Sequence, residues 1–260
     1  MNKESWRKFP YADKAYQYAG TALKKAWPRL HRGDCEPWPE SIPLQEAWRA
    51  YHAGDFAKAV ELGLKEGVAG YTVANKAVMI HANYLEDDEE RKLALFQAIA
   101  GRCEVQQAEV PENPNAWYIH AYALGRYSQG ISVAKALAQG LGGRIRASLA
   151  EAVKLQPKHA DAHIALGTYH AEVIDKVGAL VGGLTYGAKK DLGVEHFETA
   201  LKLNPDSAIA RIEYANGLVM MFGKGRLKEA EKLYAMAAEH EAADAMERLD
   251  VEQAKAELED

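Results

Sequence analysis

Two stretches of this chain repeat one another, and that repetition limits the fold more than any other feature. Leu124-Gly-Arg-Tyr127 and Leu166-Gly-Thr-Tyr169 each precede a helix-like run that ends in Leu-x-Pro, at Leu155-Gln-Pro157 and Leu203-Asn-Pro205. The second copy continues with Gly193, Phe197 and Ala200, and the same three-and-four spacing returns at Ala230, Tyr234 and Ala237. Trp48 to Ala59 adds a Gly54-Asp55-Phe56 turn, and Asn75–Leu85 with Leu93–Ala100 reads as a helix pair joined by the acidic turn Glu86–Glu90. A unit recurring along a chain implies a stacked, quasi-one-dimensional array.

Each residue type has a mechanical reason. Leu166 fills a seam between antiparallel helices, and Gly167 lets the second helix come close. Phe197 wedges back onto the first helix, and Ala200 faces the next unit at short range. Pro205 cannot continue a helix and resets the direction, after which Asp206-Ser207 offers an N-cap. With 46 alanines in 260 residues, helix is favoured throughout. The order of residues resembles the tetratricopeptide repeat (TPR). The expected fold is therefore all-α: a TPR-like α-solenoid of antiparallel helix pairs, about ten to twelve helices in four full pairs and one variant pair. We divide the chain into an N-terminal helix with an irregular connection (1–40), the helical repeats (41–241) and a C-terminal capping helix (242–260). Tyr11–Trp27 is expected to be amphipathic helix, and Glu247, Arg248, Asp250 and Glu252 are expected on a solvated outer face.

The two central repeats are too long. Leu124 to Pro157 spans 33 residues and Leu166 to Pro205 spans 39, where a 34-residue repeat needs roughly 25. The surplus falls between the two helices of each pair, and both insertions contain Ala-Leu followed by Gly-Gly. The ordinary reading is that each extends the first helix of its pair. A functional reading gives Ile131, Val133, Leu137, Val177, Leu180, Leu184 and Tyr186 to a ligand pocket or to self-association as a homo-oligomer.

From Trp117 onward the chain resembles the TPR proteins associated with TRAP transporters (the T component) and their proteobacterial relatives. The resemblance rests on LGRYSQGISVAKAL, HADAHIALGTYHAEVIDKVGAL, GLTYGAKK, EYANGL and DAMERLDVEQAKAEL. It implies an accessory role: contact with a solute-binding component, handling of an apolar ligand, or a ring-shaped assembly. Transporter-linked members carry a lipoprotein leader, whereas the first ten residues here read MNKESWRKFP. The expectation is a cytoplasmic protein, or a periplasmic one if a leader was removed. The greasiest run, VGALVGGL at 177–184, is far short of the ~20 residues of a membrane span.

The concave face is the remaining candidate surface. Lys76, Met79, Asn83, Tyr122, Arg126, Ile164, Thr168, Ile212 and Asn216 should line it. Asn83, Arg126 and Asn216 are suited to hold an extended peptide backbone. A carboxylate-clamp groove would carry lysines where this chain has Met79, Tyr122, Ile164 and Ile212, so the lining suits an apolar or amphipathic helix, or a hydrophobic small molecule. The chain's own terminal helices are competing occupants.

Other chemistry finds little support. Gly182-Gly-Leu-Thr-Tyr-Gly-Ala-Lys189 lacks the Gly-Lys-Ser/Thr of a phosphate loop. His159 and His163 lie four apart with no third ligand, so the histidines read as structural and no metal or other cofactor is expected. Cys35 and Cys103 make no disulfide framework. A net charge of −5 argues against nucleic acid. The expected function is a non-enzymatic scaffold that binds a protein partner through its concave face. The alternative is a carrier of an apolar small molecule in a pocket closed by the insertions.

Overall fold

The structure is a computed structural model that describes residues 6–259. Among these residues there are fourteen α-helices and no strand. Five antiparallel pairs follow one another: α2 (Ile42–His52) with α3 (Phe56–Lys65), α4 (Tyr71–Tyr84) with α5 (Glu89–Glu109), α6 (Pro114–Gln129) with α8 (Leu141–Leu155), α9 (Ala160–Val177) with α11 (Lys190–Leu203), and α12 (Ala208–Phe222) with α13 (Leu227–Ala238). α1 (Ala22–Leu30) precedes them and α14 (Ala245–Glu259) closes the chain.

The repeat residues behave as their types imply. A Cβ on Gly167 would lie 2.7–2.8 Å from the Phe197 ring, and one on Gly217 would lie 2.5 Å from its other edge. Phe197 and Ala200 are fully buried, and the Phe197 ring stacks on Tyr214 with centroids 5.1 Å apart. Ser207 caps α12 by accepting from the Ala210 N–H at 3.1 Å, and Asp55 caps α3 through the Lys58 N–H. Gly54 turns at φ +83° beneath the ring of Phe9, where a side chain would collide.

Three sequence expectations need correction. The insertions are helices in their own right, α7 (Val133–Ala138) and α10 (Ala179–Tyr186), which is why the count exceeds ten to twelve. Glycine separates them from their neighbours: Gly140 at φ +62° divides α7 from α8, and Gly178 at φ +81° divides α9 from α10. Glycine adopts these angles without the penalty a Cβ brings. Second, Tyr11–Trp27 is not one helix. Lys14–Tyr16 forms a single 3-10 turn, and α1 starts only at Ala22, beyond Gly20 at φ +55°. Third, α14 does not carry a wholly solvated charged face, since Glu247 and Asp250 are buried.

That third point follows from where the two ends of the chain go. Residues 31–38 run as an irregular strap across the starts of α6 and α9. Asp161 N–H donates to the Gly33 carbonyl at 3.0 Å, Asn115 donates to the Asp34 carbonyl at 3.1 Å, and the Cys35 thiol reaches the Lys158 carbonyl. α14 packs on α13, α12 and α2. Leu23, Trp27, Trp48, Tyr51, Ala245 and Leu249 share one apolar core, so the first and last segments meet inside the solenoid.

Candidate functional site

The strap is held by buried charge. Asp34, on the strap, accepts from Lys76 Nζ of α4 at 2.5 Å and from His31 Nδ1 at 2.9 Å. Burial alone would raise the Asp34 carboxyl, but Lys76 and His31 outweigh it and hold it well below its usual range. Burial likewise opposes the charge on Lys76, and Asp34 overcomes it, so the ammonium titrates above its ordinary value. From His31 the contacts continue ring to ring, His31 Nε2 to His52 Nε2 at 3.2 Å, and then from His52 Nδ1 to Asp244 at 2.7 Å. Burial lowers the His31 imidazole to about 4, against the pull of the Asp34 carboxylate. Glu247 of α14 adds a two-pronged pair with Arg29, at 2.6 and 3.0 Å.

Inside this closure lies a cavity of about 230 Å³. Its two ends differ in chemistry. Toward the insertions it is walled by Val133, Leu137, Leu141, Ile145, Val173, Val177 and Tyr186; toward the strap and α14 it is walled by Asp34, Tyr51, Lys76, Tyr118, Asp161 and Asp250. Arg126 stands between, paired with Glu213 at 2.9 Å and lying over the Tyr122 ring at 5.2 Å. Thr168 donates to the other oxygen of Glu213 at 3.0 Å.

The expected groove residues divide into three groups. Lys76, Met79, Tyr122, Arg126, Ile164 and Thr168 line the cavity. Asn83 and Asn216 lie in a neighbouring polar pocket that shares Arg126 and Glu213, where Asn216 accepts from the Tyr234 hydroxyl. Ile212 is fully buried among Ala208, Val251 and Ala254, beneath α14. The residue that does hold a non-helical backbone is Asn115, and the backbone is the turn of the chain's own strap at Asp34.

The insertion residues divide too. Val133, Leu137, Val177 and Tyr186 border the cavity, and Ile131 packs against the core. Leu180 and Leu184 project outward, 76% and 82% exposed. Gly142 leaves room for Tyr186, whose ring would otherwise meet a Cβ at 3.0 Å.

Two further histidines contact neighbouring helices. His159 caps α9, its Nδ1 accepting from Ala162 N–H while Nε2 donates to Asn115 Oδ1. His163 meets His196 at 3.1 Å.

Sequence reasoning missed Asp34, Tyr51, Tyr118 and Asp161, and it placed Asp250 on the wrong side of its helix. One signal was available for the last. Glu247, Asp250, Val251 and Ala254 fall on one stripe of α14 at spacings of three and four, mixing the acids with residues that must be buried.

Burial pushes the Asp161 carboxyl up to about 6, Lys76 opposing and Asp34 reinforcing. Asp250 is raised well above the ordinary range by burial, although it accepts from the Tyr84 hydroxyl at 2.5 Å. No helix of the described residues is long and apolar enough to cross a membrane.

No family model matches the chain, and no curated protein does. Among solved structures it is similar to the crystal structure of a thermophilic TPR protein from Thermus thermophilus, at 20% identity and a TM-score of 0.57, over 82% of this chain and 97% of that one. At that identity the likeness speaks to the fold, which is a TPR-like α-solenoid.

Proposed function

We propose that this chain is a non-enzymatic binding protein for a small molecule with an apolar body, held in the cavity that the solenoid lines. The observation that carries this reading is the strap. With Asp34 bound to Lys76 and Asn115 bound to the strap backbone, the concave face already has an occupant where an extended peptide would lie. The remaining space is walled by the insertions and lined at that end mainly by aliphatic side chains. Pockets of a few hundred Å³ with an apolar lining and a few placed polar groups suit small ligands. An accessory role in transport fits the sequence resemblance to the T component and rests on that resemblance alone.

A second reading concerns proteins. Leu180, Val181 and Leu184 are 76%, 50% and 82% exposed on α10, an apolar edge of the kind that meets a partner surface or another copy of the chain. In that reading a protein partner docks on the insertion rather than in the groove.

The neutral dye N-phenyl-1-naphthylamine, which brightens in apolar surroundings, tests the main reading. Its fluorescence should rise with the wild-type protein, and Ala165→Phe, which fills the cavity wall, should suppress the rise. Leu180→Asp/Leu184→Asp should leave it intact. No rise with the wild-type protein, or a rise that Ala165→Phe does not touch, refutes the cavity reading.

A further inference from the structure

Charge pairing inside the cavity leaves a remainder. Its lining contributes the acids Asp34, Asp161, Glu172, Glu213, Glu247 and Asp250. Every cation there already has a carboxylate: Lys76 pairs with Asp34, Arg126 with Glu213, and Lys176 with Glu172 at 2.8 Å, while Arg29 takes Glu247 from outside. Among the described residues Asp161 and Asp250 make no ion pair within 4.0 Å, and Lys76 acts on Asp161 only from beyond its own pair with Asp34. The Asp161 carboxylate accepts no hydrogen bond there at all, since its residue's tie to the strap runs through the backbone N–H.

Two further groups lack partners. The Tyr51 hydroxyl and Asn204 Oδ1 are buried and unbonded, and both residues line the same cavity. Tyr51 is only 1% exposed. Leaving such groups unmatched costs about 1–3 kcal/mol each, so their survival in a packed interior needs a reason. The imbalance has a direction. The lining's side-chain cations are all ion-paired, whereas two acceptors remain, an amide oxygen and a carboxylate, beside a phenol hydroxyl that can donate or accept. A ligand that brings hydrogen-bond donors and positive charge satisfies this wall.

The aromatic content points the same way. Tyr51, Tyr84, Tyr118, Tyr122, Tyr169 and Tyr186 all line the cavity, and tyrosine faces attract cations through their ring quadrupole. Tyr118 also sits close enough to Asp161 for that carboxylate to raise its hydroxyl, after burial itself.

We infer that the cavity takes an amphipathic organic cation: a primary ammonium seated by Asp161 and the tyrosines of the strap end, on an apolar body lying toward α7 and α10. The inference rests on the cavity reading above and adds the charge of the ligand. An anionic amphiphile, such as a fatty acid, would place its carboxylate against Asp161 and is disfavoured.

Octylamine, octan-1-ol and octanoate share a chain and differ at one end, so calorimetric titration of the three into the full chain at pH 7.5 separates the two claims. Octylammonium should bind at least tenfold tighter than octanol, with octanoate weakest. Asp161→Asn keeps the side-chain shape and should cut the ammonium preference to below threefold, with the urea midpoint of the variant showing that the fold is kept. Asp250→Asn provides a second, independent cut. Equal binding of all three ligands, a preference for octanoate, or a preference that survives both substitutions overturns the charge assignment and leaves the cavity reading standing. Binding of none of the three overturns both.

Discussion

Gly167→Ala sets two known effects against each other at the most constrained crossing in the molecule. Alanine is a better helix former than glycine inside α9, by about 0.5–1 kcal/mol, so propensity alone predicts a more stable protein. The new methyl, however, would lie 2.7–2.8 Å from three atoms of the Phe197 ring. That ring has little room to retreat, because it is fully buried and its face stacks on Tyr214. Overpacking of this kind costs about 1–3 kcal/mol. The repulsion wins, and the net loss should be about 1 kcal/mol. Phe197→Leu alone should destabilise by part of the about 3–5 kcal/mol of a Phe→Ala truncation. It also removes the ring that the methyl strikes, so Gly167→Ala in that background should become neutral or stabilising. The resulting coupling is about 1–2 kcal/mol, measurable as a double-mutant cycle on urea midpoints. If Gly167→Ala raises the midpoint of the protein that keeps Phe197, the close-crossing argument is wrong.

Three other expectations follow from the same structure. Burial holds His159 at about 4, below an unfolded value of about 6.5, so its stability contribution is complete above pH 6.5 and lost as pH falls toward 4. That loss amounts to about 3 kcal/mol at most, and His159→Asn, which keeps a capping side chain, should flatten the fall in urea midpoint over that window; an unchanged profile refutes the assignment. Asp34→Asn leaves the buried Lys76 ammonium without its carboxylate and should cost about 3–5 kcal/mol, with hydrogen exchange quickening first in residues 31–38; equal protection there would show that the strap is held by other contacts. Leu184→Glu, at a position 82% exposed, should move the urea midpoint by no more than about 0.5 kcal/mol, and a larger loss would mean that α10 is packed against something.

The repeat architecture was legible because it is written in local rules. Gly167, Phe197, Ala200 and Ser207 act within one helix pair or across one crossing, and residue type alone announces each role. The insertions were located by counting, but their form depends on two glycines at positive φ, Gly140 and Gly178. A helix-length run of Ala, Leu and Val does not reveal such a break. The cavity's polar end was invisible for a different reason. Asp34 and Lys76 are 42 residues apart, His52 and Asp244 are 192 apart, and Tyr84 and Asp250 are 166 apart. No periodicity relates them; only the closure of the solenoid brings them together. Charged residues on the last helix read naturally as solvated, and Glu247 and Asp250 were misplaced by that rule. Met79, Tyr122 and Ile164 were found because the inner face of each first helix recurs with the repeat.

The pairing of His31 with His52 and of His52 with Asp244 has a consequence for how the array comes apart. In an open row of repeats the outermost unit has one neighbour and frays cheaply, so melting begins at an end and travels inward. Here neither end is outermost: peeling away the last helix exposes Asp244 and the first repeat together, and lifting the N-terminal strap strands Lys76 at the middle of the stack. A chain tied to itself in this way gives up the gradual unzipping of a linear array for something closer to the single cooperative transition of a globular domain.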